Sequence, residues 1–387
     1  MAANRTLRAG VIGCGNISTA YFRLAPLFRG VEIVACADLR DDLAKAQAQA
    51  FGIRAMPVDE LIAAGDVDIV VNLTIPAAHY AISKQALEAG KHVYSEKPFV
   101  LSLEEGLSLK AIAEAGELRI GSAPDTFLGG AHQQARALVD AGRIGRITSG
   151  VCHVMSHGME HWHPNPDFFY APGGGPILDL GPYYISSLVQ LAGPVRRVAA
   201  VTSVPRPERV ISNGPRSGET IPVGTPTTIH AILEFVEGAV VTFNASWDVW
   251  QHGHAPIELY GEGGTLHVPD PNFFGGEVRL TEEDRPVEKL PAWKHPFGEP
   301  NQDSPRGPLA NYRTVGLADM ALAIAEDRPH RCSLEFALHV VDVMTAVLRS
   351  GETGQFVEMT TSCERPAALG AAAARSMMVG RKARSAA

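Results

Sequence analysis

Cysteine is scarce in this sequence, and its five copies are scattered. They are Cys14, Cys36, Cys152, Cys332 and Cys363, an odd number without any CxxC pair. This pattern predicts neither a disulfide framework nor a zinc site built from cysteines. It fits a reducing compartment, so we expect a cytoplasmic protein.

Long apolar runs and basic clusters are also missing. No stretch approaches the length of a transmembrane helix, and the chain enters a strand pattern too soon after Met1 for a secretory signal peptide. The formal net charge is −8, and the one basic run, Arg381-Lys382-Ala383-Arg384, is interpreted as a solvated tail. We therefore expect neither a membrane nor a nucleic-acid partner.

The 387 residues, 45% of them hydrophobic, can bury a large core and favour two domains. Strand and helix patterns alternate up to about Ser122, which predicts a parallel sheet with helices on both faces. The predicted strands there cover 8–12, 31–37, 67–73, 91–95 and 118–122, and the predicted helices cover 19–28, 81–89 and 103–115.

The second part of the chain has a different pattern. After a helix over 133–141, long runs alternate with a period of two at 227–235, 239–247 and 257–260, which predicts antiparallel strands with helices on one face. Further helices are predicted over 309–326 and 334–349. The predicted fold is α/β: a Rossmann domain with a doubly wound parallel sheet (1–126), an α+β domain with a large, mostly antiparallel open sheet (127–365), and a C-terminal helix or flexible tail (366–387).

A glycine turn joins the first strand to the first helix. Gly13 permits a tight turn and Gly15 lets the backbone approach a pyrophosphate at the helix start. Ser18 stands at the position of a third glycine and is small enough for close packing. This context predicts a dinucleotide site that includes Gly13, Gly15, Asn16 and Ile17.

An acid follows the second strand at the spacing of a ribose ligand. Asp38 lies 38 − 15 = 23 residues after Gly15. A carboxylate there accepts hydrogen bonds from the ribose 2′-OH and repels a 2′-phosphate, so NAD is the expected cofactor. Arg40, two residues further, leaves NADP possible.

Glu96-Lys97-Pro98 follows the strand predicted over 91–95. Ligands of open α/β sheets lie beyond the carboxyl ends of the strands, so Lys97 is expected beside a nicotinamide ring. A cation there can hold a substrate hydroxyl. Glu96 is interpreted either as a contact of the nicotinamide ribose or as a surface carboxylate before a helix.

A second motif follows Gly173-Gly174-Gly175. A helix over 177–191 would place Asp179 and Tyr183 on one face, one turn apart. Pro182 also permits a helix that starts nearer Gly181, because proline is tolerated in the first turn. Both interpretations stay open on the sequence.

Together these motifs resemble the Gfo/Idh/MocA oxidoreductases over residues 6 to about 360. The resemblance rests on Gly13-x-Gly15, Asp38, the strand end from Asn72 to Pro76 with His79, Glu96-Lys97-Pro98, and Asp179-x-Gly181-x-Tyr183. It implies that Lys97 and Asp179 surround the reacting hydroxyl of a sugar or inositol. The cofactor contacts that we predict in addition to the glycine turn are Asp38, Arg40, Thr74, Ile75, Pro76, His79, Glu96 and Lys97.

Tyr183 stands where many members of that family have histidine. In this it resembles the glucose–fructose oxidoreductase branch, in which tyrosine is the proposed acid/base. Removal of a hydride from a carbinol carbon requires that the hydroxyl proton leave too. A phenol needs a neighbouring cation such as Lys97 to act as a base near neutral pH. Lys97, Asp179 and Tyr183 are the predicted catalytic residues, although a tyrosine at a helix start is ordinarily a packing residue.

Four histidines crowd the segment 153–163, namely His153, His157, His161 and His163. They are interpreted as surface or core residues, as metal ligands, or as part of a loop over the active site. The spacing alone is weak support for a metal, so we predict none. We expect His161 or His163 to contact substrate, and Asp125 either to reach the pocket or to cap a helix.

Trp247, Trp250, His252 and His254 follow a predicted strand and are interpreted as packing or interface residues. We expect a homodimer or homotetramer formed through the C-terminal sheet. The predicted function is transfer of a hydride between NAD(P) and a ring carbon of a sugar, sugar derivative or inositol. The alternatives are a glycosidase or lyase that oxidises a sugar carbon transiently with tightly bound NAD, and a non-catalytic nucleotide sensor.

Overall fold

The computed structural model describes residues 5–305 and 307–380. Its first part contains a six-stranded sheet whose strands are all paired in parallel. In chain order they are β1 (Leu7–Ile12), β2 (Val31–Ala37), β3 (Arg54–Ala55), β4 (Ile69–Asn72), β5 (His92–Ser95) and β6 (Ile120–Ser122). The spatial order 3-2-1-4-5-6 reverses direction between β1 and β4, where ligands of such sheets bind. The predicted parallel sheet is confirmed.

Five helices connect these strands: α1 (Ser18–Leu24), α2 (Asp41–Phe51), α3 (Val58–Ala63), α4 (Pro76–Glu88) and α5 (Leu103–Ala115). The bounds predicted for α5 are correct, and the Ser102 side chain caps its first turn by accepting from the Glu105 N–H. The helix predicted over 81–89 begins earlier, at Pro76, because proline suits the first helical turn. Residues 25–27, predicted as part of α1, form a separate 3-10 turn.

The second sheet has nine strands among the described residues. They are β7 (Ile147–Met155), β8 (Val195–Ser203), β11 (Thr228–Phe235), β12 (Val240–Ser246), β13 (Ile257–Gly261), β14 (Gly264–Val268), β15 (Arg279–Glu282), β16 (Glu288–Lys289) and β17 (Val357–Glu358). Their spatial order is β16-β15-β14-β13-β7-β12-β11-β8-β17. Two short strands, β9 (Glu208–Val210) and β10 (Thr220–Pro222), form a separate ribbon.

The pairings in this sheet are antiparallel except one. β12 runs parallel to β7, with Val240 opposite Ser149 and Ser246 opposite Met155. A parallel pair needs a long crossover, and the chain between β7 and β12 passes through helices and other strands. The predicted mostly antiparallel sheet is therefore confirmed, and the expectation that the run 239–247 pairs only antiparallel is wrong.

The helices of this part are α6 (Gly130–Asp140), α7 (Asp167–Tyr170), α8 (Gly175–Asp179), α9 (Gly181–Ala192), α10 (Val315–Glu326), α11 (Leu334–Thr353) and α12 (Ala371–Met377). Every residue of α9 is buried, because the helix packs against β7, α6 and α11. The opposite face of the sheet exposes apolar side chains, among them Val201, Ile232 and Val240. Assembly through this face stays a prediction.

Two helix predictions need correction. The helix predicted over 309–326 begins only at Val315, because Thr314 has a left-handed backbone (φ +97°) that cannot continue a helix. The helix predicted over 177–191 is two helices with a break at Leu180, so α9 begins at Gly181 with Pro182 in its first turn. The alternative based on Pro182 was the correct one.

The end of the described chain folds back onto the first part. Leu369 is buried, and Met378 pairs with Phe28. Of the segment 366–387, expected as a helix or a flexible tail, residues 371–377 form the short helix α12. The basic run 381–384 lies outside the described residues. The domain boundaries at 126/127 and 365/366 stay predictions. No helix in the described part of the chain is both long and apolar enough to cross a membrane.

Candidate active site

The glycine turn has the geometry of an anion-binding turn. Gly13 has φ +101°, and a Cβ on it would lie 2.5 Å from the Leu73 carbonyl oxygen, so no other residue fits. A Cβ on Gly15 would meet no heavy atom of the described residues within 4 Å, so the turn opens onto free space. The buried Ser18 hydroxyl donates to the Gly15 carbonyl at 2.6 Å and closes the turn.

No side chain caps the start of α1, and its first N–H group, that of Ser18, donates to the Gly15 carbonyl at 3.1 Å. Asn16 is exposed and Ile17 is half-buried in this turn. The open space beside Gly15 and the acid at the end of β2 fit NAD. These residues would hold it by its pyrophosphate and adenosine ribose.

Asp38 lies at the end of β2, next to the turn. One of its carboxylate oxygens accepts the Cys14 N–H at 2.7 Å and the other accepts the Arg40 N–H at 2.8 Å. The carboxylate is thereby fixed at the edge of the sheet, in the predicted position of a ribose ligand. The Arg40 side chain is exposed and forms an ion pair with Asp42 at 2.7 Å.

The segment after β4 is held by a buried network. The Asn72 side-chain oxygen accepts from the Thr74 hydroxyl at 2.7 Å. The two ring nitrogens of His79 contact the backbone carbonyls of Pro98 (2.7 Å) and Thr74 (3.0 Å). Burial lowers the pKa of His79 despite these carbonyl contacts. His79 therefore ties the segments after β4 and β5 together, while Ile75 is 69% exposed and its role as a cofactor contact stays a prediction.

Glu96 links the end of β5 to α1. Its carboxylate accepts from the Tyr21 hydroxyl at 3.0 Å and from the Lys97 N–H at 3.0 Å. Burial, reinforced by the Glu96 charge, raises the pKa of Tyr21 well above its ordinary range. Glu96 is half-buried, which is not the free surface position of the alternative interpretation.

Lys97 and Asp179 meet across the two parts of the chain. The Lys97 ammonium donates to the Asp179 carboxylate (2.7 Å) and to the Asp179 backbone carbonyl (2.8 Å), although the two residues are 82 positions apart. Their side chains are 17% and 21% exposed. Burial disfavours the charged amine, but Asp179, Tyr183 and Glu96 together outweigh this effect, so the pKa of Lys97 lies above its ordinary value. Lys97 is therefore a cation at neutral pH.

Tyr183 completes this cluster from the first turn of α9. It is 8% exposed, and the Lys97 Nζ lies 5.3 Å from the centre of its ring. The break at Leu180 brings Asp179 and Tyr183 to the same place from two short helices instead of one. The three predicted catalytic residues thus lie together at the carboxyl edge of the parallel sheet; their roles stay predictions.

Arg313 is a residue of this cluster that the sequence analysis missed. Its guanidinium Nη2 donates to the backbone carbonyl and the side-chain oxygen of Asn272, at 3.1 and 3.2 Å. Burial opposes its charge, but Tyr183 and Asp125 together raise the pKa of Arg313. Arg313 precedes α10, far from the other motifs, and the sequence around it has no feature that marks it.

Asp125 is buried, with 2% of its surface exposed. Its Oδ2 accepts the N–H groups of Thr314 (2.9 Å) and Gly316 (3.0 Å) at the start of α10. Burial raises the pKa of Asp125 to about 6. Of the two interpretations offered for Asp125, these contacts agree with a helix cap, although the helix belongs to a distant part of the chain.

The histidine-rich segment lies beside an aromatic cluster. The ring of His163 contacts Trp162, Phe168 and Phe169 at centroid distances between 5.2 and 5.5 Å, and His161 is exposed. No contact among the described residues joins either histidine to Lys97, so their role as substrate contacts stays a prediction.

Of the four residues after β12, Trp247 is fully buried and contacts Phe169 and Tyr170, which agrees with the predicted packing role. Trp250 is 76% exposed and stacks on His157, and His254 stacks on His153. Within residues 5–305 and 307–380, no three His, Cys, Asp or Glu side chains are placed to hold a metal ion.

The strand order, the glycine turn and the cation-carboxylate-phenol cluster define an NAD-binding oxidoreductase. A family model described as an oxidoreductase family with an NAD-binding Rossmann fold matches residues 7–122. A second model, the GFO/IDH/MocA C-terminal domain, matches residues 132–267. The chain belongs to the Gfo/Idh/MocA oxidoreductase family, which confirms the resemblance; its placement in the glucose–fructose oxidoreductase branch stays a prediction.

Known relatives act on sugars. The chain is 31% identical over 250 residues to the dTDP-3,4-didehydro-2,6-dideoxy-alpha-D-glucose 3-reductase of Streptomyces violaceoruber, covering 63% of this chain and 70% of that enzyme. It is 28% identical to the 1,5-anhydro-D-fructose reductase of Ensifer adhaerens, covering 92% and 99% of the two chains. A solved levoglucosan dehydrogenase in complex with NADH and levoglucosan superposes with a TM-score of 0.76 at 21% identity, covering 92% of this chain and 100% of that one. This structural likeness supports the fold.

Proposed function

We propose that this protein is an NAD-dependent dehydrogenase or reductase that transfers a hydride between nicotinamide and a ring carbon of a sugar, a sugar derivative or a cyclic polyol. The observation that carries the proposal is the meeting of Lys97, Asp179 and Tyr183 at the sheet edge beside the glycine turn. The relatives that act on sugars support the substrate class.

Each residue has a role that follows from its chemistry. Lys97 is a buried cation and would hold the reacting hydroxyl oxygen of the substrate. Asp179 keeps Lys97 charged and fixes its position through two hydrogen bonds. Tyr183 would take the hydroxyl proton on oxidation and return it on reduction. Bound NAD supplies the hydride acceptor.

The test is a survey with the purified protein. Free sugars, glycosides and inositols are supplied one at a time with NAD or NADP, and the absorbance of reduced nicotinamide is followed. We expect reduced cofactor to appear with at least one sugar or polyol, and with NAD in preference to NADP, because Asp38 at the end of β2 is the predicted ribose ligand and would repel a 2′-phosphate.

Two outcomes contradict the proposal. Consumption of a glycoside without net formation of reduced cofactor would instead show a glycosidase or lyase with internal redox chemistry. Cofactor binding without reaction on any compound, in both directions, would indicate a nucleotide sensor. Protein fluorescence is followed while NAD is added, because a nucleotide sensor still binds the cofactor whereas a protein without a working cofactor site does not.

A further inference from the structure

A cation follows the predicted ribose ligand closely in the chain. Arg40 stands two residues after Asp38, and its backbone N–H donates to an Asp38 carboxylate oxygen at 2.8 Å. In dinucleotide-binding folds an acid at this place binds the ribose 2′-OH of NAD, whereas a nearby arginine accommodates the 2′-phosphate of NADP. This chain carries both kinds of residue side by side. The contacts of the Arg40 guanidinium therefore bear on the choice between the two cofactors.

The Arg40 guanidinium is bound by a carboxylate of the chain itself. Its Nη2 donates to Asp42 Oδ2 at 2.7 Å, and its Nε donates to Asp42 Oδ1 at 3.3 Å. Two parallel N–H···O contacts of this kind are also the geometry in which a guanidinium binds a phosphate. Asp42 thus takes up two of the donors that a 2′-phosphate would use on Arg40, and it neutralises the charge that would attract the phosphate.

The Arg40–Asp42 pair lies at the surface, with 67% and 66% of the two side chains exposed. Exposed ion pairs are weak, so a phosphate bound to Arg40 could displace Asp42. The displaced carboxylate would then lie close to the phosphate, as Asp38 also would, and like charges repel. Asp42 therefore opposes a 2′-phosphate in two ways: as a competitor for Arg40 and as a nearby negative charge.

We propose that Asp42 is a specificity-determining residue, which keeps Arg40 from binding a 2′-phosphate and thereby makes the site select NAD. The inference rests on the proposed function, in which NAD is preferred to NADP, and it assigns part of that preference to a residue outside the predicted ribose contact. Asp38 repels the 2′-phosphate by its own charge. Asp42 occupies the one neighbouring cation, Arg40, whose charge would offset that repulsion.

Asp41 provides a matched control for Asp42. Both are exposed carboxylates in the first turn of α2, where acids are favoured by the helix dipole whatever their other contacts. The ion pair of Asp41, however, is with Lys45, one turn further along the helix, at 2.5 Å. Removal of either acid takes one negative charge from the same end of α2. A difference between the two variants therefore measures the contact between Asp42 and Arg40.

The test is a fluorescence titration of the purified protein with NAD and, separately, with NADP, at one ionic strength and without substrate. The quantity compared is the dissociation constant of NADP divided by that of NAD. Asp42→Ala is expected to lower this ratio about five- to tenfold, because a competitor for Arg40 and a repelling charge are both removed. Asp41→Ala should lower it by no more than about threefold, because only repulsion is relieved. In a protein carrying Arg40→Met, Asp42→Ala should have the same small effect as Asp41→Ala.

Equal ratios in Asp42→Ala and Asp41→Ala would overturn the proposal, and so would a full effect of Asp42→Ala in the Arg40→Met protein. If Asp42→Ala fails to fold, Asp42→Asn decides, because it keeps a polar side chain in the first turn of α2 without the charge, and the same fall in the ratio is expected. An unaltered protein that binds NADP as tightly as NAD, or that binds neither, would also overturn it. The titration needs no substrate, so a protein that shows the expected ratios but reacts with no compound in the sugar survey would contradict the proposed function and support the role of Asp42.

Discussion

The buried Lys97–Asp179 pair allows the sharpest test of how the two parts of the chain are joined at the site. Its side chains are 17% and 21% exposed and their charged atoms are 2.7 Å apart. At an effective dielectric constant of about 20, that distance corresponds to an attraction of about 6 kcal/mol, part of which offsets the cost of removing both charges from water. Asp179→Leu leaves the Lys97 charge buried without its partner and is expected to lower the free energy of unfolding by about 3–5 kcal/mol.

The double variant Lys97→Met with Asp179→Leu removes both charges and should be more stable than the sum of the single changes predicts. The difference, measured by urea denaturation of all four proteins, is expected to be at least about 1 kcal/mol. The same cycle on Arg146 and Glu262, an exposed pair also 2.7 Å apart, should show little coupling. Single effects at Lys97 and Asp179 that add within about 0.5 kcal/mol would refute the assignment of this pair as a buried, coupled contact.

Three further outcomes are expected. Tyr183→Phe should abolish most turnover while NAD still quenches protein fluorescence. The control Tyr260→Phe changes a tyrosine of the second sheet and should retain turnover. Equal activity of the two variants would show that Tyr183 takes no part in the chemistry. Gly13→Ala should weaken NAD binding at least tenfold in an equilibrium titration, because its Cβ would lie 2.5 Å from the Leu73 carbonyl oxygen. Gly65→Ala is the control and should bind NAD normally, because a Cβ there meets no described atom within 4 Å. Burial lowers the pKa of His132 to about 4, so between about pH 6.5 and 4 the unfolded state binds more protons than the folded state. The free energy of unfolding should therefore fall by about 3 kcal/mol from this group as the pH is lowered through that range. In urea unfolding at about pH 6.5 and 4, His132→Leu should show a smaller fall in this free energy, and an unchanged fall would contradict the buried neutral histidine.

Local patterns were sufficient for the first sheet. The strand, glycine turn and helix around Gly13, followed by Asp38 after β2, are adjacent in sequence and obey steric rules that hold whatever the rest of the chain does. The predicted bounds of β2 and α5 agree with the structure, because an apolar run and a serine cap mark their ends. In the second sheet the regular runs β11 and β12 were identified, whereas β7 and β8 were not.

The chemistry of the site was only partly visible in the sequence. Lys97 and Asp179 were identified because they stand in motifs, and the structure brings them into contact across 82 residues. Arg313 stands in no motif, and the start of α10 that follows it is held by Asp125, 191 positions before Gly316. Likewise His79 was predicted as a cofactor contact, and only the fold shows that both of its ring nitrogens face backbone carbonyls.

The sequence by itself determined the class of fold, the dinucleotide turn and two of the charged residues of the site, since these depend on interactions between near neighbours along the chain. Tertiary structure decided which groups surround Tyr183, how β12 pairs with β7, and where α9 and α10 begin. Those features depend on packing between distant segments, on burial and on strained backbone at Thr314, and none of these has a local signal.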